Sequence, residues 1–164
     1  MLKPTFALTI GSLSSDSGRP VAGPCRIRVE RDMDVPADAA EGTLRTREGV
    51  SLADEVSIAL GHDGSNEAVL SGAVAALHPH LLGVRVTVLG AMRKLLDLRT
   101  AAWYTEQSAG AIARDLFDQA GPEAGTIDDG PVLPRYAVDP RLSAYAHLRR
   151  LAERLGYELY ARRD

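Results

Sequence analysis

The chain has little of what would mark several common protein classes. It contains one cysteine, Cys25, so no disulfide can form within the chain, which fits a reducing compartment. Aromatic residues make up only 5% of the composition, and no apolar run approaches the length that spans a bilayer. The formal net charge of −3 argues against a dedicated nucleic-acid binder. We therefore expect a soluble protein that is made in the cytoplasm, with Cys25 as a small core residue.

Motifs that carry catalysis are also missing from the sequence. It has no phosphate-binding glycine loop, no dinucleotide-binding fingerprint and no nucleophile elbow. His78 and His80 have a spacing that could offer two imidazoles to a metal, but a structural site needs four ligands. Two acidic pairs lie outside any calcium-loop pattern: Asp32 with Asp34, and Asp128 with Asp129. We expect turn and loop residues here, and predict no metal, no cofactor and no enzyme activity.

The overall composition is that of an ordinary globular protein. The chain has 164 residues, of which 45% are apolar and 25% are charged. This is enough for one domain with a real core, or for a domain with a subdomain. The charge is uneven, because the segment from Arg141 to Asp164 has a local balance of +3, which leaves −6 for the remainder. A solvated basic helix face is the simpler explanation of that segment.

The first ~90 residues alternate between short strand patterns and turns. Gly61 to Gly64 has strong turn chemistry and predicts a hairpin. We predict loops from Ser12 to Gly23 and from Met33 to Val50, the second with a short strand or turn around Thr43 to Arg47, and a break at Pro79. The predicted strands are Phe6–Ile10, Cys25–Glu30, Glu55–Leu60, Val69–Leu77 and Val84–Val88. This spacing predicts a small antiparallel β-barrel or sandwich.

One strand pattern has charged residues on its outer face. Cys25, Ile27 and Val29 alternate with residues that are charged, so the strand is expected to be half-buried. The outward set consists of Arg26, Arg28 and Glu30.

From Thr100 onward the pattern changes to α+β. Ala91 to Leu98 predicts a short helical or bent segment. Ser108 or Thr105 can cap a second helix that ends at Gly121 and Pro122. Its apolar stripe consists of Ile112, Ala113, Leu116, Phe117 and Ala120. Pro131 to Val138 then predicts a further strand.

The last segment predicts a helix that is followed directly by a strand. Asp139 can cap the helix and Pro140 suits its first turn, while Gly156 can end it. The apolar face consists of Leu142, Tyr145, Leu148, Leu151, Ala152 and Leu155. Tyr157 to Tyr160 has strand character. The fold class is therefore α+β, with a β-barrel domain over residues 1–99 and an α+β subdomain over residues 100–164.

Four of these segments, taken together, resemble the phage late control gene D proteins. They are LRRLAERLGYELY, EVSIALGHDGSNEAVLSGAVAAL, the strand and basic leucine-rich segment from Val84 to Leu98, and the helix from Ser108 to Gly121. These family members are baseplate hubs related to the N-terminal part of valine-glycine repeat protein G spikes. The likeness covers roughly Glu55 to Tyr160, and more loosely Phe6 to Arg31.

The resemblance implies a structural hub, built from tail-tube-like barrels, that joins a tail tube to a spike. It implies a homotrimer, with the tail tube protein and the spike protein as partners, assembled into a virion tail or injection particle. It implies no nucleic-acid or membrane partner. The candidate assembly surface consists of Arg26, Arg28, Glu30, Tyr157 and Tyr160. In the family, further chain follows the strand that matches Tyr157 to Ala161. We therefore expect this chain to be either truncated relative to the family or a short stand-alone form that completes its sheet through an oligomer.

Two other classes of function stay open from the residues. The β-rich half could be a small glycan- or nucleic-acid-binding module, and four tyrosines near arginines could stack on single strands. The spacing of those tyrosines fits a helix–strand core better: Tyr136, Tyr145, Tyr157 and Tyr160. A tail-associated cell-wall hydrolase with a dispersed pair of carboxylates is the second alternative.

Overall fold

A computed structural model describes residues 2–18, 26–31, 37–46 and 48–160. Two compact units make up the chain, one ending at Ala91 and the other beginning its main segment at Met92. The short helix that starts at Arg93 therefore belongs to the second unit. The sequence-based expectations for Cys25, Asp32 and Asp34 lie outside the described residues.

The first unit is a rolled antiparallel sheet of seven described strands. The order across the sheet is β2-β1-β5-β6-β7-β4-β3, and each neighbouring pair is antiparallel. The strands are β1 (Pro4–Ile10), β2 (Leu13–Asp16), β3 (Arg26–Glu30), β4 (Ala39–Leu44), β5 (Glu55–His62), β6 (Ser65–His80) and β7 (Gly83–Gly90). Among the described residues, β2 and β3 form the two outer edges.

Alternating apolar residues cover the concave face of this sheet. Leu8 and Ile10 of β1 and Ile27 of β3 line one small cavity, although β1 and β3 lie near opposite ends of the strand order. The sheet is therefore curled into a half-barrel. The buried core consists of Leu8, Ile10, Ala40, Leu44, Val50, Val56, Ile58, Leu70, Val74, Val84, Val86 and Val88. An α+β fold with an antiparallel N-terminal half is confirmed, and closure into a complete barrel stays a prediction.

Two strands lie where the sequence predicted loops. β2 falls inside the predicted loop from Ser12 to Gly23. β4 occupies Ala39–Leu44 inside the predicted loop from Met33 to Val50, where it overlaps the short strand or turn expected around Thr43 to Arg47 at Thr43 and Leu44. Both strands are poor in β-branched and aromatic residues. β2 is held by pairing with β1, and β4 by pairing on both sides with β3 and β7. Long-range pairing overrides local composition here.

Pro79 does not interrupt the sheet, so that prediction is wrong. It lies within β6, opposite Val84 of β7. Pairing of β5 with β6 ends at Ala73, so in the described sheet the segment around Pro79 has a partner strand on one side only. A missing N–H costs little where one side of a strand is open, which is where proline is tolerated in sheets.

The second unit combines three described helices with a two-stranded antiparallel sheet. Its elements are α1 (Arg93–Asp97), β8 (Ala102–Ser108), α2 (Ala109–Ala120), β9 (Val132–Val138) and α3 (Ala144–Leu155). β8 is a strand that the sequence did not predict, whereas β9 confirms the predicted strand. The buried apolar residues are Met92, Leu95, Ala109, Ile112, Leu116, Phe117, Val138, Ala144, Tyr145, Leu148 and Leu151.

The two longer helices begin at serine caps and end at glycines. The Ser108 hydroxyl accepts a hydrogen bond from the Ala111 amide at 3.1 Å, and Gly121 ends α2 with φ of 82°. Gly156 ends α3 with φ of 73°. These three features agree with the sequence patterns, because a left-handed residue at a helix end favours glycine.

The predicted cap of α3 is wrong. Ser143 is the N-cap, and its hydroxyl accepts from the Ala146 amide at 3.1 Å. Asp139 instead lies in a turn, where its carbonyl accepts from the Leu142 amide at 3.0 Å. That turn occupies the residues that the sequence assigned to the first helical turn, so the helix starts later.

The predicted strand from Tyr157 to Tyr160 is also wrong. These residues have neither strand nor helix geometry, and no described strand pairs with them. The Tyr157 ring instead lies over Gly130, where a Cβ atom would stand 3.2 Å from its Cε2. Strand character in a sequence does not make a strand without a partner.

Candidate assembly surface

The outward set on β3 has the orientation that the sequence predicted. Arg26, Arg28 and Glu30 are exposed, while Ile27 and Val29 face the core and are half-buried. Arg28 and Glu30 form an ion pair along the strand, with side chains that are 62% and 60% exposed. Exposed pairs of this kind contribute little to stability, so their charges remain available to a partner.

Among the described strands, β3 lies at one edge of the sheet. Its described partner is β4, and it is the last strand in the sheet order. An edge strand presents a row of backbone N–H and C=O groups that can pair with another chain. The opposite edge, β2, has only four residues.

A basic row crosses the outer face of the sheet near one end. Arg26 lies opposite Thr43, Thr43 lies opposite Arg85, and Arg85 lies opposite His78. Residues in such a row share a face, and adjacent strands are about 4.8 Å apart. Within the described part of the chain, neither Arg26 nor Arg85 takes part in an ion pair.

The turn between β6 and β7 exposes two leucines, which the sequence analysis missed. Leu81 and Leu82 form the two-residue connection between His80 and Gly83, and both side chains are exposed. The His80 Nδ1 accepts a hydrogen bond from the Leu82 amide at 3.2 Å. Turns usually carry Gly, Asn, Asp or Ser. Two leucines in a turn were the signal that could have identified this apex.

The sequence offered His78 and His80, at this end of the sheet, as two imidazoles for a metal. Among the described residues, no group of three or more His, Cys, Asp or Glu is placed to hold an ion. His78 and His80 are exposed on the last residues of β6. Asp128 and Asp129 lie in the loop before β9, where the Asp129 carboxylate forms an ion pair with Arg114. We assign these residues to turns and surface contacts.

The tyrosines of the second unit do not form one stacking surface. Tyr145 is buried, and the Tyr136 ring packs edge-on against His147 with 6.3 Å between the ring centroids. Burial raises the pKa of the Tyr136 hydroxyl. Tyr157 and Tyr160 are partly exposed and lie in the second unit, whereas the outward set of β3 belongs to the first. The helix–strand core that the tyrosine spacing favoured accounts for Tyr136 and Tyr145.

His147 and Asp139 tie the end of β9 to α3. The Nε2 atom of the buried His147 lies 3.0 Å from both the backbone nitrogen and the backbone oxygen of Asp139. The Tyr136 hydroxyl donates to the His147 carbonyl at 3.2 Å. Hydrogen bonding from the Arg141 side chain lowers the pKa of Asp139 to about 2. Because these groups are already paired with one another, we assign them a structural role.

The fold has solved counterparts. It is similar to the 43 kDa tail protein of prophage MuSo2 from Shewanella oneidensis, with a TM-score of 0.73 and 16% identity over 94% of this chain. It is similar also to a tail protein from Neisseria meningitidis MC58, with a TM-score of 0.67 and 15% identity over 97% of this chain. The chain has the fold of these tail proteins.

A third solved structure extends the likeness to a secretion system. The Escherichia coli c3393 protein is a component of the type VI secretion system with structural similarity to the T4 tail proteins gp27 and gp5. It matches with a TM-score of 0.51 and 12% identity over 93% of this chain. This chain spans about half of the two tail proteins, 49% and 48% of their lengths, and 39% of the secretion component. No family profile matches the chain, and no curated protein does.

The tail-protein fold also contains surface features that the sequence analysis did not identify. Trp103, the only tryptophan of the chain, is 67% exposed on β8. It lies opposite Ala137, and Thr105 on the same face lies opposite Arg135. Since β8 was not predicted, the orientation of Trp103 could not be predicted either. No helix among the described residues has the length and hydropathy to cross a membrane.

Proposed function

We propose that this protein is a structural baseplate component of a phage tail or contractile injection system, and that it forms part of the hub between tube and spike. The observation that carries the proposal is the match to two tail proteins, one of them from a prophage, over 94% and 97% of the chain. The late control gene D resemblance supports the same role from separate evidence, the order of short segments along the sequence. The half-barrel is then the tube-like barrel of the hub.

The hub role includes self-assembly and two protein partners. We propose a homotrimer that contacts the tail tube protein and the spike protein, is made in the cytoplasm of the producing cell and is incorporated into the particle. The surface features of the first unit suit this role. Strand β3 has a described partner strand on one side only, and the basic row and the Leu81–Leu82 apex offer charged and apolar contacts.

The direct test is reconstitution with the tail tube and spike proteins of the same phage or injection system. We expect the protein to form a trimer by mass measurement, and negative-stain images to show it at the end of the tube. Because apolar residues at the centre of a contact dominate its affinity, a variant with Leu81→Ser and Leu82→Ser should bind the tube or spike more weakly by about ten-fold or more.

Leu52→Ser is the matched control, because Leu52 is another exposed leucine in a turn of the same unit. It should bind like the unaltered protein. A strictly monomeric chain with no affinity for tube or spike would contradict the hub role. Saturable glycan binding, or a salt-dependent shift of oligonucleotides, would instead favour a small binding module.

A further inference from the structure

The β8–β9 sheet of the second unit has one face that is exposed to solvent. Its register places Trp103 opposite Ala137 and Thr105 opposite Arg135, and all four side chains are exposed. Successive residues of a strand point to opposite faces, so these four share one face. We call them the Trp103 face.

The opposite face of the same sheet is occupied by helices. The Tyr104 hydroxyl donates to the Asp115 carboxylate of α2, and the Tyr136 hydroxyl donates to the His147 carbonyl of α3 at 3.2 Å. A two-stranded sheet needs such packing to be stable in water. Since the helices cover only that side, the fold of this unit does not account for the indole on the other side.

The Trp103 face has the side chains of an interface centre. Trp103 and Arg135 are diagonal neighbours in the register, which is within reach of aromatic and long side chains. Tryptophan and arginine are among the residue types most enriched where binding energy is concentrated. In the part of the chain that the structure describes, Arg135 forms no ion pair, either with Glu106 or with another carboxylate.

The charge of the chain indicates which surface this face fits. An apolar ring beside an unneutralised guanidinium matches a surface that offers a carboxylate next to apolar atoms. A second copy is rich in carboxylates, because residues outside 141–164 have a net charge of −6. In a two-fold contact the same patch would meet itself, which would bring Arg135 towards its own counterpart. The face therefore fits a different, acidic surface of the next copy, and contacts of that kind can close into a ring of three.

We infer that the Trp103 face packs against a carboxylate-bearing surface of a neighbouring copy in the homotrimer, with Arg135 paired to one of its carboxylates. This contact rests on the proposed hub trimer and adds to it the side chains that hold the copies together. The tube and spike proteins are then partners of other surfaces.

The single tryptophan gives a direct probe of the contact. Because the chain has no other tryptophan, its emission reports on this face alone. Over a concentration series, we expect the emission to move to shorter wavelength in step with trimer formation measured by sedimentation. Fluorotryptophan incorporated at Trp103 gives a fluorine NMR signal that unlabelled tube and spike proteins do not obscure. That signal should shift on trimer formation and stay in place when either protein is added to the trimer.

Two variants test the side chains themselves. Trp103→Ser removes the ring and Arg135→Glu reverses the charge, so each should raise the concentration of half-trimerisation about ten-fold or more. Arg135→Lys keeps the charge and should raise it by only about three-fold. Arg93→Glu is the matched control for charge, because Arg93 belongs to an exposed ion pair with Asp97 in the same unit. Leu52→Ser is the control for loss of an exposed apolar side chain, and neither control should affect trimer formation.

The failure of this contact can be distinguished from the failure of the hub role. Normal trimers of Trp103→Ser and Arg135→Glu would overturn the contact and leave the hub role intact. A fluorine signal that shifts only with tube or spike would also overturn it, because the face would then bind another protein. A chain that stays monomeric at high concentration would contradict both the contact and the proposed trimer. Circular dichroism of each variant checks that loss of the trimer is not loss of the fold.

Discussion

Gly110 is constrained by its neighbours rather than by its own backbone angles. It lies at the start of α2, and its amide donates to the Asp129 carbonyl at 2.8 Å. A Cβ atom there would stand 2.4 Å from the Asp128 carbonyl oxygen and 2.7 Å from the Asp129 Cα. The helix can approach the loop before β9 this closely only because residue 110 has no side chain.

Gly110→Ala should therefore destabilise the protein although alanine favours helices. We expect the steric shift to exceed the roughly 1 kcal/mol that alanine gains in helix propensity, and to leave a net loss of about 1–2 kcal/mol. Urea unfolding measures the change. Gly125→Ala is the control, since nothing lies within 4 Å of the added Cβ. Equal stability of both variants would show that the loop does not pack on α2 in this way.

At the scale of elements, the ends of the helices follow local rules more closely than the strands do. Ser108 and Gly121 bound α2, and Ser143 and Gly156 bound α3. At each N-terminus a hydroxyl accepts from the amide three residues later. The strands β2 and β4 have weak local patterns and exist through pairing with their neighbours.

Ser143→Ala tests where α3 begins. Removing the hydroxyl leaves an amide of the first turn without its partner, which should cost about 1 kcal/mol. Hydrogen exchange at the Ala146 amide should accelerate, and urea unfolding should report the loss. Ser71→Ala, an exposed site on β6, should change neither measurement. If Asp139→Ala had the larger effect on helix exchange and Ser143→Ala had none, the helix would start where the sequence predicted.

At the scale of the whole molecule, each compact unit has its own apolar core. The first is closed around residues such as Leu44, which is 1% exposed, and the second around residues such as Leu116, which is 0% exposed. Such cores are close-packed, so loss of one large side chain leaves a cavity that the surroundings fill only in part.

Leu44→Ala and Leu116→Ala should each lower the free energy of unfolding by about 2–5 kcal/mol. Because the two residues lie in different cores, hydrogen exchange should locate each loss in the mutated unit: β4 and β7 amides for Leu44→Ala, and α2 amides for Leu116→Ala. Loss of protection spread evenly over both units by either variant would contradict this assignment. Leu52→Ser, an exposed substitution, should change the unfolding free energy by less than about 0.5 kcal/mol.

The sequence alone determined the features that depend on residues close in the chain. The alternation of β3, the hairpin turn at Asp63 and Gly64, the serine cap of α2 and the glycine ends of both helices all follow from spacings of a few residues. The same spacings gave the α+β class. Local steric and hydrogen-bonding preferences are strong enough to fix these without help from the rest of the fold.

Only the tertiary structure decided which strands pair and which edges stay open. Tyr157 to Tyr160 has strand character but no described partner strand. The weakly patterned β2 and β4 are strands because β1 pairs with β2, and β3 and β7 pair with β4. Pro79 lies inside β6 because one side of that segment is open in the described sheet. Backbone hydrogen bonds between strands join residues far apart in the chain, so no local pattern encodes them.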